Sequence, residues 1–403
     1  MRIEPIIDGV IARSAHPLGC QAAIEQQIKF AQQSDPIKNG PKRVLIIGAS
    51  SGFGLAARIA LTFGGANADT IGVSFERAPS QSETGDIHTG SAGWFNNLYF
   101  EQAAKHAGRT AITINGDAFA NETREHVVEA IETYFEGEVD LVIYSVAAGI
   151  RPKYDGSGAV WRSCIKPVSD NVTGSSLDLE HDRWMEVQLP AATPQELDET
   201  IKVMGGEDWQ HWIDTLVNAE SVSSGFKTLA FSYIGPELTH PIYLDGTLGC
   251  AKVDLHQTSH SLNLELANFD GNAYAAVCKA VVTKASVFIP GLTPYLLALY
   301  RAMKEKGTHE ECIGQMQRLF RDKLYGANGA QVDGERLIRM DDWEMSPEIQ
   351  RQVNDWLEQM DASNFTQLGD YQGVKQAFMQ LNGFAWPEVN YTAEIDMTAF
   401  IPK

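Results

Sequence analysis

Apolar residues in the first part of the chain come in short β-branched runs, separated by stretches with helical spacing. Residues 43–47 (RVLII) place hydrophobic side chains on consecutive positions, the pattern of a parallel strand buried on both faces. A glycine-rich turn follows, then a helical pattern through Leu61. Residues 70–75 (TIGVSF) predict a second strand, 94–106 a helix, 110–114 a third strand, 121–135 another helix and 139–146 (VDLVIYSV) a fourth strand. Strands alternating with helices predict βαβ units and a parallel sheet.

The alternation breaks at residues 147–192, which are rich in Gly, Ser, Asp and Thr and predict an insertion of loops and short strands. Helical patterns return over 193–219, a strand is expected at 227–233 (KTLAFSY), a long helix at 246–268 and a further strand at 273–278. From about residue 285 to 403 the pattern is helical and amphipathic, with turns near Gly326 and Gly329. No repeat, low-complexity tract or Gly/Ser/Pro linker divides the chain. The reading is an α/β protein: a Rossmann-like, doubly wound parallel sheet with large insertions forming a substrate-binding region, with residues 1–403 as a single domain.

Charge narrows the partners. The 32 basic and 52 acidic residues give a net charge of −20, so the surface repels phosphate backbones and anionic membranes. Nucleic acid is excluded as an expected partner. The most apolar stretch, 285–300, is too short to span a bilayer and is interrupted by Pro290 and Pro294. The N-terminal residues lack the pattern of a signal peptide. Five scattered cysteines without a C-x-x-C pair argue against a disulfide framework and against structural zinc. A cytoplasmic, metal-free protein is expected.

The chemistry begins at the first turn. Gly48, Gly52 and Gly54 lie in GASSGFG, after a predicted strand and opening a predicted helix. That context lets backbone approach a pyrophosphate and aims a helix N-terminus at it. Glu76, 22 residues beyond Gly54, ends the second strand, where an acidic side chain hydrogen-bonds the adenosine ribose and repels a 2′-phosphate. NADH is therefore favoured over NADPH, with Arg77 as the counter-argument. Asp117 and Ala118 follow the third strand, where an adenine edge would lie.

A nicotinamide reductase acting on a carbonyl or enolate needs a proton donor beside that oxygen, and a tyrosine near a cation can serve. Tyr243 precedes Lys252 by nine residues. On one regular helix that spacing puts the two on opposite faces. If they cooperate, Tyr243 must sit in the loop entering the helix that bears Lys252. Tyr233, ending the preceding strand, can reach the same cleft, because ligands bind beyond the carboxyl ends of parallel strands.

These residues belong to a recognisable set. The chain resembles, over nearly its whole length, the trans-2-enoyl-CoA reductases and the related FabV-type enoyl-acyl-carrier-protein reductases, large short-chain-dehydrogenase relatives with a Tyr-x8-Lys arrangement. The resemblance rests on HPLGC at 16–20, PKRVLIIGASSGFGLAARIA at 41–60, GVSFE at 72–76, AGWFNN at 92–97 and NGDAF at 115–119. It continues in VMGGEDW at 203–209, SYIGPELTHPIY at 232–243, VVTKAS at 281–286 and DDWE at 341–344. It implies NADH-dependent reduction of the double bond of trans-2-enoyl thioesters, on CoA or on acyl carrier protein, in fatty acid synthesis, by a monomer. It implies Tyr243 as proton donor, Lys252 on the cofactor ribose and Tyr233 on the thioester. Gly48, Ala49, Ser50, Ser51, Gly52, Phe53, Phe75, Glu76, Asp117, Ala118, Val146, Ala147, Lys252, Val281, Val282 and Thr283 would line the cofactor.

The chain departs from the family pattern after the fourth strand, where Ala148 replaces an expected hydroxyl, and in a longer loop at 78–91. His309, Glu310, Glu311 and Cys312 lack the second histidine of a zinc motif and read as a solvated helix face. The run 285–300 reads as core or as the wall of an acyl-chain tunnel. Trp209 and Trp212 read as packing. Two other functions stay open on the residues alone: a short-chain ketoacyl reductase, against which the Tyr–Lys spacing argues, and an NADH-binding regulator without turnover.

Overall fold

In a sheet covered on both faces, alternate residues of each strand point to opposite sides. In the computed structural model, which describes residues 1–402, β1 (Arg43–Ile47) sends Val44 and Ile46 to one face and Leu45 and Ile47 to the other, all four fully buried. The same sheet holds β2 (Asp69–Ser74), β3 (Ala111–Asn115), β4 (Val139–Tyr144), β5 (Val222–Ser232), β6 (Asn272–Val277) and β7 (Leu337–Arg339). The spatial order is 3-2-1-4-5-6-7 and every pairing is parallel. The order reverses between β1 and β4, which opens a crevice beyond their carboxyl ends.

The helices are, in chain order, α1 (Pro17–Gln33), α2 (Gly52–Phe63), α3 (Ala92–His106), α4 (Asn121–Phe135), α5 (Pro194–Met204), α6 (Glu207–Asn218), α7 (Thr247–Glu265), α8 (Leu292–Lys306), α9 (Cys312–Arg318), α10 (Pro347–Leu357), α11 (Phe365–Leu368) and α12 (Tyr371–Gln380). Ile24, Leu55, Ile59, Phe100 and Met316 bring α1, α2, α3 and α9 onto one face of the sheet. Val127, Ile131, Trp209, Trp212, Leu255 and Leu262 bring α4, α6 and α7 onto the other. Trp209 and Trp212 are fully buried; their indole N–H groups donate to Thr228 Oγ1 (2.8 Å) and to the Ala118 carbonyl (3.1 Å). They are packing residues, and Trp212 also anchors the loop after β3.

Each strand and helix expected through residue 278 is present within a few residues, and the insertion at 147–192 is two antiparallel hairpins, Ile150–Pro152 with Val160–Arg162 and Val172–Asp178 with Arg183–Leu189. The start at Thr193 has a local cause: its hydroxyl accepts from Glu196 N–H while the Glu196 carboxylate accepts from Thr193 N–H. Not anticipated were two two-residue ladders, Ile7–Asp8 with Ile11–Ala12 and Ser80–Gln81 with Ile87–His88, and also β7 and α1. β7 is only three residues long and its ladder lies at the sheet edge. α1 buries Gly19, Cys20 and Ala22 against the 383 turn, where a methyl on Gly19 would overlap the Gly383 carbonyl. A helix that buries small residues has a weak hydrophobic period.

One expectation is corrected. The segment from His309 to Glu311 is not a solvated helix face. It joins α8 to α9, His309 stacks on Tyr300 (4.3 Å between ring centres), and Glu310 pairs with Arg318 at 2.8 Å. The polar sequence pattern reflects a partly buried ionic cluster.

A third core joins the Val172–Asp178 hairpin to α8, α10, α11 and α12. The chain ends meet too: Ile395 N–H donates to the Met1 carbonyl and His16 N–H to the Asn382 carbonyl. We propose that residues 1–402 fold as one unit. Removing everything after residue 330 deletes β7 and takes Ile349, Val353, Phe365, Tyr371, Val374 and Phe378 away from α8. Losing even one such buried side chain costs about 2–5 kcal/mol, against a total stability of about 5–15 kcal/mol. The truncated chain is therefore expected to be unfolded by circular dichroism, and limited proteolysis of the full chain to yield no stable fragment ending near residue 330. A truncated chain that melts cooperatively would show two units.

Candidate active site

The turn after β1 is built on a close approach. Gly48 has φ +92°, and a Cβ there would strike the Ser145 carbonyl at the end of β4; a Cβ on Gly54 would strike the Gly48 carbonyl. Gly52, at φ +55°, faces open space bounded by Thr283, 3.8 Å from where its Cβ would stand. The first N–H groups of α2 therefore look into the crevice, with no side-chain cap from Ser51. Ala49 is buried beneath the turn, and Asn96 of α3 donates to the Ser50 carbonyl at 2.9 Å, fixing its height. A donor-rich, unoccluded helix start fits a pyrophosphate.

The adenosine side lies at the ends of β2 and β3. Glu76 receives hydrogen bonds from Ser50 Oγ (2.6 Å) and from Ser91 Oγ, and its backbone is paired with the Asn115 side chain. The carboxylate is thus aimed over the glycine turn, and each oxygen keeps a lone pair for a ribose hydroxyl. Phe75 beside it is 78% exposed, an uncovered aromatic face at the crevice rim. Asp117 and Ala118 follow β3 as expected. Asp117 Oδ2 accepts from the Tyr154 hydroxyl at 2.6 Å, so the first hairpin of the insertion reaches the adenine side.

Two further loops border the crevice. Val146, half-buried, and Ala147, exposed, leave β4 beside Gly48. Where a hydroxyl is replaced by Ala148, the backbone is held instead: Ser163 Oγ donates to the Ala148 carbonyl at 3.1 Å and Ser163 N–H to the Gly149 carbonyl at 3.0 Å. Val281, Val282 and Thr283 follow β6 and are buried. Val282 N–H donates to the Tyr300 hydroxyl (2.9 Å) and Thr283 N–H to Ser286 Oγ (2.8 Å). Phe53 opens α2 and packs against Phe231, 5.6 Å between ring centres.

Tyr243 lies in the turn before α7 and Lys252 in that helix's second turn, as the nine-residue spacing required. Tyr233 stands one residue beyond β5, its ring edge-on to that of Tyr243 at 4.9 Å. Burial pushes both phenols up, so each enters the reaction protonated. Lys252 Nζ donates to the Phe231 carbonyl at 3.1 Å, and burial pushes its ammonium down to about 8. Desolvation dominates at the tyrosine, and the lysine is tied to β5. The Tyr243 hydroxyl has no hydrogen-bond partner among the described residues.

Tyr243 also lines an apolar cavity of about 320 Å³. Its walls include Trp184 of the second hairpin, Ile242, Ile289 and Leu292 from the run 285–300, Tyr295 of α8, and Leu357 and Met360 at the end of α10. Both readings of that run apply: residues 289–295 contribute to the cavity wall, and Leu296 to Tyr300 are core. The sequence reading missed Tyr295, Trp184 and above all Glu344, whose buried carboxyl accepts from Tyr233 and Tyr295. Glu344 was visible within the DDWE segment, but an acidic residue in a polar stretch gives no sign of burial.

Comparison with known proteins gives the same picture. The chain matches the family model of the trans-2-enoyl-CoA reductase catalytic region over residues 88–325 and that of the NAD(P)H binding domain of trans-2-enoyl-CoA reductase over 2–81. It is 67% identical over 401 residues to an enoyl-[acyl-carrier-protein] reductase [NADH] of Vibrio vulnificus, spanning 100% of this chain and 99% of the relative. Identity to the Vibrio cholerae enzyme of that description is 65% over 406 residues, covering both chains fully. Among solved structures, the Clostridium acetobutulicum trans-2-enoyl-CoA reductase with NADH superposes with a TM-score of 0.95 at 40% identity, covering 99% of each chain. The Treponema denticola enzyme with NAD gives 0.91 at 41% identity, covering 98% of each.

Residues 332–395 match a model described as an enoyl reductase FAD binding domain. The residues present do not fit a flavin. β7, the one strand there among the described residues, runs into Met340 and Asp341 with no glycine turn and no helix start behind it. Methyls on Gly369 or Gly383 would collide with Leu297 or with the His16 carbonyl, so these glycines serve packing. Asp341 is taken by Arg339, Glu344 by two tyrosines, and α10 and α12 spend their apolar faces on α8. On sequence, family models and fold together, the chain belongs to the trans-2-enoyl-CoA reductase family.

Proposed function

We propose that this protein reduces the C2–C3 double bond of trans-2-enoyl thioesters, carried on CoA or on acyl carrier protein, with NADH as reductant, as a cytoplasmic monomer of fatty acid synthesis. The observation that carries the reading is the position of Tyr243: it lines the apolar cavity, its hydroxyl has no partner among the described residues, and its ring packs edge-on against Tyr233 just beyond β5. The activities of the relatives support it.

Bound NADH supplies a hydride to the β-carbon, which moves charge onto the thioester oxygen. Tyr243 then donates its hydroxyl hydrogen to that enolate oxygen, in a site where burial has kept the phenol protonated; a proton from solvent at the α-carbon and return of the oxygen's hydrogen to Tyr243 give the saturated thioester and restore the phenol. Lys252, held by the Phe231 carbonyl, presents the remaining hydrogens of its ammonium to the cofactor ribose and stabilises the tyrosinate left behind. Tyr233 assists at the thioester. The glycine turn, Phe75, Glu76, Asp117, Ala118, Val146, Ala147 and residues 281–283 bind and orient the cofactor, and the cavity excludes water from the acyl chain.

The deciding measurement is NADH oxidation with crotonyl-CoA, longer enoyl-CoAs and enoyl carrier protein. Turnover of a β-ketoacyl thioester but not of its enoyl analogue would point to a ketoacyl reductase. Tight NADH binding without substrate-dependent oxidation would point to a regulator.

Two variants test the assignments. Glu76→Ala is expected to erode the preference for NADH, read as the ratio of kcat/KM for NADH to that for NADPH. A wild-type preference for NADPH would sink the cofactor assignment, and an unchanged ratio in the variant would sink only the role of Glu76. Tyr243→Phe is expected to lose about 10²–10⁴-fold in turnover while keeping NADH affinity, as for loss of a general acid. Lys252→Met is expected to lower both turnover and NADH affinity. A folded Tyr243→Phe enzyme with near wild-type turnover would rule out Tyr243 as donor and make Tyr233 the first candidate.

A further inference from the structure

Glu344 lies five residues past β7, is fully buried, and has no ion-pair partner among the described residues. Its Oε1 accepts from the Tyr233 hydroxyl (3.1 Å) and the Tyr295 hydroxyl (2.7 Å), and its Oε2 from Ala280 N–H (2.7 Å). Tyr295 lines the apolar cavity with Tyr243, Tyr233 stacks edge-on against Tyr243, and Ala280 leads into the cofactor-lining residues 281–283. One carboxyl therefore touches a tyrosine of the cavity, the tyrosine packed against Tyr243, and the root of the cofactor segment.

Counting hydrogens decides what it does there. A phenol has one. With Glu344 ionised, the Tyr233 hydrogen points at the carboxylate, and Tyr233 offers only lone pairs to any other partner. An enolate oxygen needs donors. With Glu344 in its acid form a second arrangement closes completely: the Oε1–H of Glu344 donates to the Tyr233 oxygen, Tyr295 O–H still donates to Oε1, Ala280 N–H still donates to Oε2, and the Tyr233 hydrogen is free for another acceptor. We propose that Glu344, as the acid, is a positioning residue that turns the Tyr233 hydroxyl toward the thioester oxygen, giving the enolate a second donor beside Tyr243. This rests on the reading that Tyr233 touches the thioester.

The surroundings favour the acid form. Burial pushes the Glu344 carboxyl up. The hydrogen bonds from Tyr295 and from Ala280 N–H oppose this, as does Lys279 just beyond β6, whose ammonium donates to the Ala280 and Glu310 carbonyls; burial outweighs the three. Asp341 on the same segment acts in the raising direction while bound to Arg339. The tyrosines from β5 and α8 are themselves protonated, and Gln350 of α10, which donates to the Tyr295 oxygen at 3.1 Å, is neutral. The sign follows: raising the pH ionises Glu344, draws the Tyr233 hydrogen back to the carboxylate and slows the reaction.

The test compares kcat and KM against pH for wild type, Glu344→Gln and Glu344→Ala, with crotonyl-CoA and NADH. Wild type is expected to lose rate with rising pH in two steps, one from Glu344 and one from Lys252 near pH 8. Glu344→Gln, whose amide donates to Tyr233 at every pH, is expected to stay within about threefold of wild type at neutral pH and to keep only the Lys252 step. Glu344→Ala is expected to lose about 10²-fold in kcat with NADH affinity intact, in the range for one donor to a developing oxyanion. If the alanine variant does not fold, the glutamine profile carries the test alone. The proposal falls if Glu344→Gln is slow or keeps both steps, if the profiles superimpose and only Tm changes, or if Tyr233→Phe leaves turnover unchanged, which removes its premise. Slow Tyr233→Phe with an unaltered Glu344→Gln profile overturns Glu344's role while leaving enoyl reduction standing.

Discussion

At Gly48 the chain leaves β1 with its Cα pressed toward the Ser145 carbonyl, and Gly54 is pressed in turn against the Gly48 carbonyl. A methyl at either place would drive the turn away from the end of β4. Overpacking of this kind costs about 1–3 kcal/mol, but the positional consequence is larger than the energetic one. The turn sets the height of the α2 N-terminus, and Ser50 in the same turn holds the Glu76 carboxylate. Thr283, arriving from β6, faces Gly52 across the gap that remains. The glycine turn, the Glu76 segment and residues 281–283 border one crevice, and this approach fixes all three relative to one another.

The opposite half of the cleft depends on the sheet continuing past β5. Tyr233 leaves β5, the loop to α7 brings back Tyr243, and Lys252 returns to β5 through the Phe231 carbonyl. β7 then adds one short rung to β6, and the chain beyond it delivers Glu344 to Tyr233. Residues 111 positions apart in sequence meet because both follow strands of one parallel sheet, whose carboxyl ends point the same way.

That geometry explains what was legible in the sequence. β1 to β6 were readable because buried parallel strands are unbroken β-branched runs, and the glycine turn because its spacing sits between a strand and a helix. The displacement of Tyr243 from α7 followed from helical arithmetic alone. β7 was not readable: three residues, LIR, carry no period, and only the ladder to β6 makes them a strand. The roles of Glu344 and Tyr295 were illegible for a different reason. A carboxyl beside aspartates reads as solvated, and a tyrosine in an apolar run reads as core; their pairing is a tertiary fact. His309 shows the same limit, since its polar neighbours gave no hint of the Tyr300 ring beneath it.

The buried ionisable groups of this cleft share one physical trend. Burial raises the phenols of Tyr233, Tyr243 and Tyr295 and the carboxyl of Glu344, and lowers the ammonium of Lys252. Each shift favours the uncharged form, so the site as folded is poor in net charge and poorly solvated. In such surroundings a new negative charge interacts far more strongly with nearby donors than it would in water. In the reaction proposed above, that charge develops on the thioester oxygen. Donors that are already oriented, and that water does not solvate, would then act on the enolate more than on the neutral thioester, and that difference would lower the barrier. The desolvation that costs the fold stability at these groups is therefore the same property that makes their hydroxyl hydrogens effective.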